Sequence, residues 1–161
     1  MNRRTFLTTL AGALSGAAQP TARPNVIFIL ADDLGWGDLH CYGNGAIRTL
    51  NLDRLASQGT LFTQFYVANP VCSPSRTAFM TGHFPARHKI HGHLADEATN
   101  ERRGMPNFLD PAVVMLPRLM KQAGYRTGHF GKWHLGHGKG APLPEAYSVD
   151  EHRTYVSNGP T

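Results

Sequence analysis

Cysteine is scarce in this chain: Cys41 and Cys72 are the only two in 161 residues. They stand far apart rather than as a C-x-x-C unit, which removes a paired-cysteine metal or redox motif. A disulfide between them stays open for an oxidising compartment. Long apolar runs are missing too. No stretch approaches the roughly 18 residues of a membrane-spanning helix, so the processed protein is not expected to span a bilayer. Acids number 11 against 16 lysines and arginines. Arg3, Arg4 and Arg23 fall in residues 1–23, which hold no acid, and this leaves 13 basic against 11 acidic residues in the remainder. With no basic stripe interleaved with aromatics, that balance argues against a nucleic-acid partner. Apolar residues at 41% and charged ones at 17% fit a globular chain with a modest core.

Residues 1–22 carry a pattern of their own. The pair Arg3-Arg4 is followed by Phe6-Leu7, then by an Ala/Gly-rich, weakly apolar run to Ala18, and Pro20 ends it. This has the form of a twin-arginine export signal, with cleavage expected between Ala17 and Ala22. Export machinery is then a partner, and the bacterial periplasm or the extracellular space is the expected location.

Beyond the signal, Val26–Leu30 is a continuous apolar run ending in Ala31-Asp32-Asp33, which predicts a strand buried on both faces. Asn51 is a candidate N-cap for a helix with Leu52, Leu55 and Ala56 on one stripe and Gly59 as its stop. Leu61–Val67 alternates like a second strand. Ser75–Met80 is expected to be a short helix, with Pro74 in its first turn and Gly82 at its end. Residues 83–111, rich in His, Gly, Arg and Asn, read as irregular surface. Val113, Leu116, Leu119, Met120 and Ala123 have helical spacing, and Gly124 follows. Tyr125–Phe130 predicts a third strand, and the Gly/Pro-rich remainder predicts irregular chain to Thr161. Strand, helix, strand, helix, strand implies an α/β fold with a mainly parallel sheet. The loop-like end at residues 157–161 suggests an incomplete domain.

Cys72 stands where a helix N-terminus would place positive potential and backbone donors, and Arg76 follows one turn later. On general grounds that is an activated thiol or an anion site; the alternative is a small buried cysteine beside a cap. Asp32-Asp33 at a strand end suits a cation, or equally a solvated turn. Lys132 alone would read as a surface lysine and His134 alone as a structural histidine. His83, His88, His91 and His93 lack the paired spacing of a zinc site and read as solvated loop histidines.

The stretch Cys72-Ser73-Pro74-Ser75-Arg76, with Thr81-Gly82 after it, resembles the first signature of the sulfatase family, with Phe79 where leucine is usual. Gly124-Tyr125-Arg126-Thr127 leading to Gly131-Lys132-Trp133-His134 resembles the second signature, with Phe130 in place of a smaller residue. Asn25–Asp33 with Gly35-Trp36-Gly37-Asp38 is similar to the family's opening strand and metal loop. The resemblance runs over residues 24–161, as the N-terminal part of a catalytic domain.

The resemblance implies an alkaline-phosphatase-like α/β sandwich, incomplete in this chain, and hydrolysis of a sulfate ester in the arylsulfatase-like branch. Cys72 would be oxidised to formylglycine by a formylglycine-generating enzyme. Its hydrate would attack sulfur, release an alcohol and then expel sulfate. Asp32, Asp33 and residue 72 would bind a divalent metal, calcium in most of the family. Arg76 would stabilise the gem-diol, Lys132 would hold it and the sulfate oxygens, and His134 would act as base at the bound substrate. Ser157 or Asn158 could touch substrate. No Asp-Asn dipeptide occurs, so the family's later metal pair, histidine and lysine have no counterpart here and the chain alone is expected to be inactive. The substrate would be a sulfated small molecule or glycan. A phosphonate monoester or phosphodiester hydrolase is the chemical rival, and a secreted, non-catalytic anion- or metal-binding protein the rival of another class.

Overall fold

The computed structural model describes residues 23–155. Contacts divide the chain into two compact units, Met1–Leu34 and Gly35–Thr161. The export signal at 1–22, and Ser157 and Asn158, lie outside the described residues.

The described part of the first unit, residues 23–34, has no helix or strand. Val26–Leu30 is a correction to the sequence reading: these side chains are 40–84% exposed and join no ladder among the described residues. A run that apolar has the pattern for burial on both faces, but a strand exists only where a neighbour satisfies its backbone groups. The same correction applies to Leu61–Val67, which is irregular and exposed.

Among the described residues of the second unit, four α-helices follow: α1, Leu50–Gln58; α2, Cys72–Thr81; α3, Glu97–Arg102; and α4, Leu116–Gln122. The N-cap of helix α1 lies two residues before the expected Asn51. Thr49 stands at its N-cap, where its hydroxyl donates to Asp53 Oδ1 (2.9 Å) and accepts from the His40 amide (3.0 Å). Helix α2 includes Cys72 as its first residue and ends at Gly82, whose φ of 70° lets its amide reach Ala78 O at 2.8 Å. Its buried residues Ser73, Arg76, Thr77 and Met80 follow helical spacing, so one face is inward. Helix α4 begins at Leu116 rather than Val113, with Pro117 in its first turn, where a missing amide hydrogen costs nothing.

The sheet among the described residues is one parallel pair, β1 (Gly128–Lys132) and β2 (Glu151–Tyr155), with Gly128 opposite Glu151 and Lys132 opposite Tyr155. Strand β1 lies slightly later than the expected Tyr125–Phe130. Strand β2 falls in chain expected to be irregular. Its Glu-His-Arg-Thr-Tyr pattern carries no apolar run, and a polar knot sets its register. Asp150 Oδ2 accepts from the Thr127 amide (2.9 Å) and hydroxyl (3.0 Å), while the amides of Asp150 and Glu151 donate to Thr127 O at 3.1 Å.

The core gathers Met80, Ile90, Leu109, Met115, Trp133, Leu135, Tyr147 and Val149. Ile90, Leu94, Met105 and Leu109 are buried, so the 83–111 segment is not the irregular surface its composition suggests. Asn100 explains how such a polar stretch packs. Its side chain bonds Ala95 N (2.9 Å), Ala95 O (2.8 Å) and Asn107 Oδ1 (3.0 Å), satisfying the buried backbone as it folds under the core. Cys41 and Cys72 are both free thiols, which closes the disulfide reading.

Candidate active site

Helix α2 and the C-terminal end of β1 meet at Cys72. The thiol sits half-buried on the first residue of the helix, where backbone amides point outward and the dipole favours negative charge. Lys132, the last residue of β1, brings Nζ to 3.2 Å from Cys72 Sγ. Arg76, one turn along α2, donates through Nη1 to Lys132 O at 2.6 Å and ties the helix to the strand end. Both cationic side chains are buried. Gly131, at φ 114° within β1, takes a backbone conformation that a side chain would strain, and past Lys132 the Trp133 amide bonds Tyr155 O at 2.9 Å.

His134 is buried and held at φ 47°, in the left-handed region that a histidine seldom adopts. Its Nε2 lies 2.9 Å from Leu94 O, and the Leu94 amide donates to Ser73 Oγ at 3.0 Å. Burial holds the His134 pKa below the ordinary histidine value against the opposing pull of the Leu94 carbonyl, and the charges of Lys132 and Arg76 push it the same way as burial. His134 Nδ1 is buried with no hydrogen-bond partner among the described residues. His129, on β1, is lowered chiefly by burial and then by Arg76.

A sequence model of the family described as Sulfatase matches residues 24–155. The chain belongs to the sulfatase family. It is 45% identical over 136 residues to the N-acetylgalactosamine-6-sulfatase of Rattus norvegicus, a match covering 81% of this chain and 25% of that protein. It is 48% identical over 122 residues to the steryl-sulfatase of the same species, covering 74% and 21%. The chain therefore spans about a quarter of the length of these relatives. Among solved structures, one described under metabolism of multiple glycosaminoglycans by Bacteroides thetaiotaomicron superposes with a TM-score of 0.73 at 36% identity. That match covers 84% of this chain and 28% of the other. The PsFucS1 sulfatase from Pseudoalteromonas sp. gives 0.66 at 29% identity, covering 98% and 30%. The fold is accordingly the alkaline-phosphatase-like α/β architecture of the sulfatases, of which the described parallel pair and its helices form a part.

Within this sulfatase chain, Cys72, Arg76 and Lys132 come together, and His134 follows Lys132 by two residues on the same turn of chain. Asp32 and Asp33 belong to the first unit, where both are exposed and Asp33 adopts φ 58°. Among the described residues, no three His, Cys, Asp or Glu side chains converge to hold a metal. In the histidine-rich segment, His91 and His93 are exposed. His83 and His88 are half-buried and stacked, with ring nitrogens 3.1 Å apart, which corrects the solvated reading for those two. Sequence reasoning missed Ser73 and Leu94. Ser73 lies inside the first signature, but the partner it meets is a backbone amide, and that leaves no trace in residue type.

Proposed function

We propose that this chain carries the nucleophile, the anion-holding cations and the base of an enzyme that hydrolyses sulfate esters. The observation that carries the reading is the Lys132 ammonium 3.2 Å from Cys72 Sγ at the head of a ten-residue helix. A helix N-terminus with two buried cations beside it suits a tetrahedral anion. Membership of the family supports a formylglycine at position 72, whose hydrate would supply the oxygen that attacks sulfur and the second hydroxyl through which sulfate would later be expelled.

Lys132 is placed to hold that hydroxyl and a sulfate oxygen together, which fixes the attack distance and offsets charge in the transition state. Arg76 secures the Lys132 carbonyl and adds positive potential from the same side. Burial lowers the His134 pKa and so favours the neutral ring, whose Nδ1 would be the acceptor for the proton lost when sulfate leaves. Asp32 and Asp33 offer hard carboxylate oxygens, the donor type calcium takes, and would be this chain's carboxylate ligands to such an ion, which would polarise a sulfate group.

The substrate we infer is a sulfated small molecule or glycan, the sulfate ester being what the names N-acetylgalactosamine-6-sulfatase and steryl-sulfatase share. The Arg3-Arg4 segment supports export to the periplasm or beyond. Mass spectrometry of the tryptic peptide Leu55–Arg76, from chain co-expressed with a formylglycine-generating enzyme, tests the nucleophile. An aldehyde trapped by a hydrazine is expected. An unmodified thiol, with a control sulfatase converted alongside, overturns the reading.

A further inference from the structure

We propose that Ser73 is a positioning residue for His134: acting through Leu94, it lets the helix that presents Cys72 also set the orientation and tautomer of the base. The inference rests on the reading of Cys72 and His134 as parts of one sulfate-ester site.

Three buried groups form one polar chain. Ser73 Oγ accepts from the Leu94 amide at 3.0 Å, and the carbonyl of that same residue lies 2.9 Å from His134 Nε2. Their relative exposures are 0%, 1% and 4%, so water cannot substitute for a lost partner without the packing opening. A carbonyl oxygen only accepts, so Nε2 carries the hydrogen, and in the neutral ring Nδ1 must carry the lone pair. Nδ1 is the nitrogen without a hydrogen-bond partner among the described residues. The Leu94 carbonyl thus selects which nitrogen can take a proton.

Ser73 in turn fixes Leu94. Its backbone is held within α2, where Thr77 Oγ1 donates to Ser73 O at 2.9 Å, so its hydroxyl oxygen is a rigid point one residue from Cys72. Loss of that oxygen would leave the Leu94 amide buried without its acceptor, and the segment carrying Leu94 would shift to find one. His134 would then lose the contact that stabilises its left-handed backbone and its ring plane together. Nucleophile and base are therefore referenced to the same turn of helix, although 62 positions of sequence separate Cys72 from His134.

Nitrogen-15 NMR of the histidine rings in the 161-residue chain tests this. In the native chain His134 is expected as a single tautomer with a bare Nδ1 and a slowly exchanging Nε2 proton. Ser73→Ala should speed exchange of that proton at least about fivefold, as loss of a buried hydrogen bond allows. The Asp150 amide, bonded to Thr127 O at the opposite end of β1 from Lys132, should be unaffected. Ser73→Thr, which keeps the oxygen, should restore slow exchange. If Ser73→Ala does not fold, Ser73→Cys, with a poorer acceptor in a similar volume, carries the same comparison. A protonated Nδ1 in the native chain, unchanged exchange in the variant, or equal acceleration at Asp150 would each overturn the proposal. No readout requires sulfate release or an aldehyde at position 72, so failure of the sulfatase reading and failure of this one are separate results.

Discussion

Replacing Arg76 with methionine separates the two tasks assigned to its guanidinium. The residue is buried and donates to the Lys132 carbonyl at 2.6 Å, joining α2 to the end of β1. Methionine fills much of the same space, so the main loss is a charge-assisted bond to a buried carbonyl, worth about 1.5–3 kcal/mol. For a domain of this length, about 2–4 °C follows each kcal/mol, so thermal unfolding at neutral pH should fall by roughly 3–12 °C. An opposing effect comes from removing one of two neighbouring buried cations, which relieves repulsion and desolvation. Differential scanning calorimetry of native chain, Arg76→Met and Arg76→Lys decides between them. Arg76→Lys should fall between the other two, since lysine keeps the charge but lacks the planar fork. An unfolding temperature for Arg76→Met equal to or above the native value would refute the reasoning, because relief of the buried charge would then outweigh the bond that joins helix to strand.

Lys132→Met in an active, formylglycine-bearing enzyme should lower kcat by roughly a hundred- to a thousandfold, the range for one transition-state donor, and a loss under tenfold would remove Lys132 from the site. His134, His129 and His88 all have lowered pKa values in the folded chain. The unfolded chain therefore binds more protons as pH drops through the ordinary histidine value of 6.5, and stability, fully present above it, should decline below it in a urea titration. Asp150 is held down to about 2, first by Lys121 and then by the Thr127 amide, so its contribution should persist to pH 4 and fade only as pH falls from 3.8 towards 2; Asp150→Asn should remove that acid step. Gly82→Ala should cost about 1–2 kcal/mol by urea unfolding, because φ 70° is left-handed and only glycine adopts it without strain.

Much of the site was legible because its chemistry is local. Cys72, Pro74 and Arg76 share one turn, and Gly82 marks where that helix must stop. Lys132 and His134 follow a segment whose strand character shows in Tyr125–Phe130. The strands themselves were less legible. Val26–Leu30 and Leu61–Val67 have the side-chain pattern without a partner among the described residues, whereas Glu151–Tyr155 has a partner without the pattern. What places β2 is the Thr127–Asp150 knot, and the Lys121–Asp150 and Arg126–Glu151 ion pairs lie beside it. Those contacts join residues more than 20 positions apart, where periodicity within a window says nothing. Leu94 was hidden for a similar reason: its role belongs to its amide and carbonyl, which every residue has.

The field around Cys72 ties these observations to function. Burial is the chief cause that lowers His134 and His129; the charge of Arg76 acts on both in the same direction, and Lys132 adds to it at His134. A fold seeking only stability gains little by burying two cations at a helix N-terminus, since each loses hydration and each repels the other. The arrangement becomes favourable when an anion enters, because the helix dipole, Lys132 and Arg76 then act with the same sign.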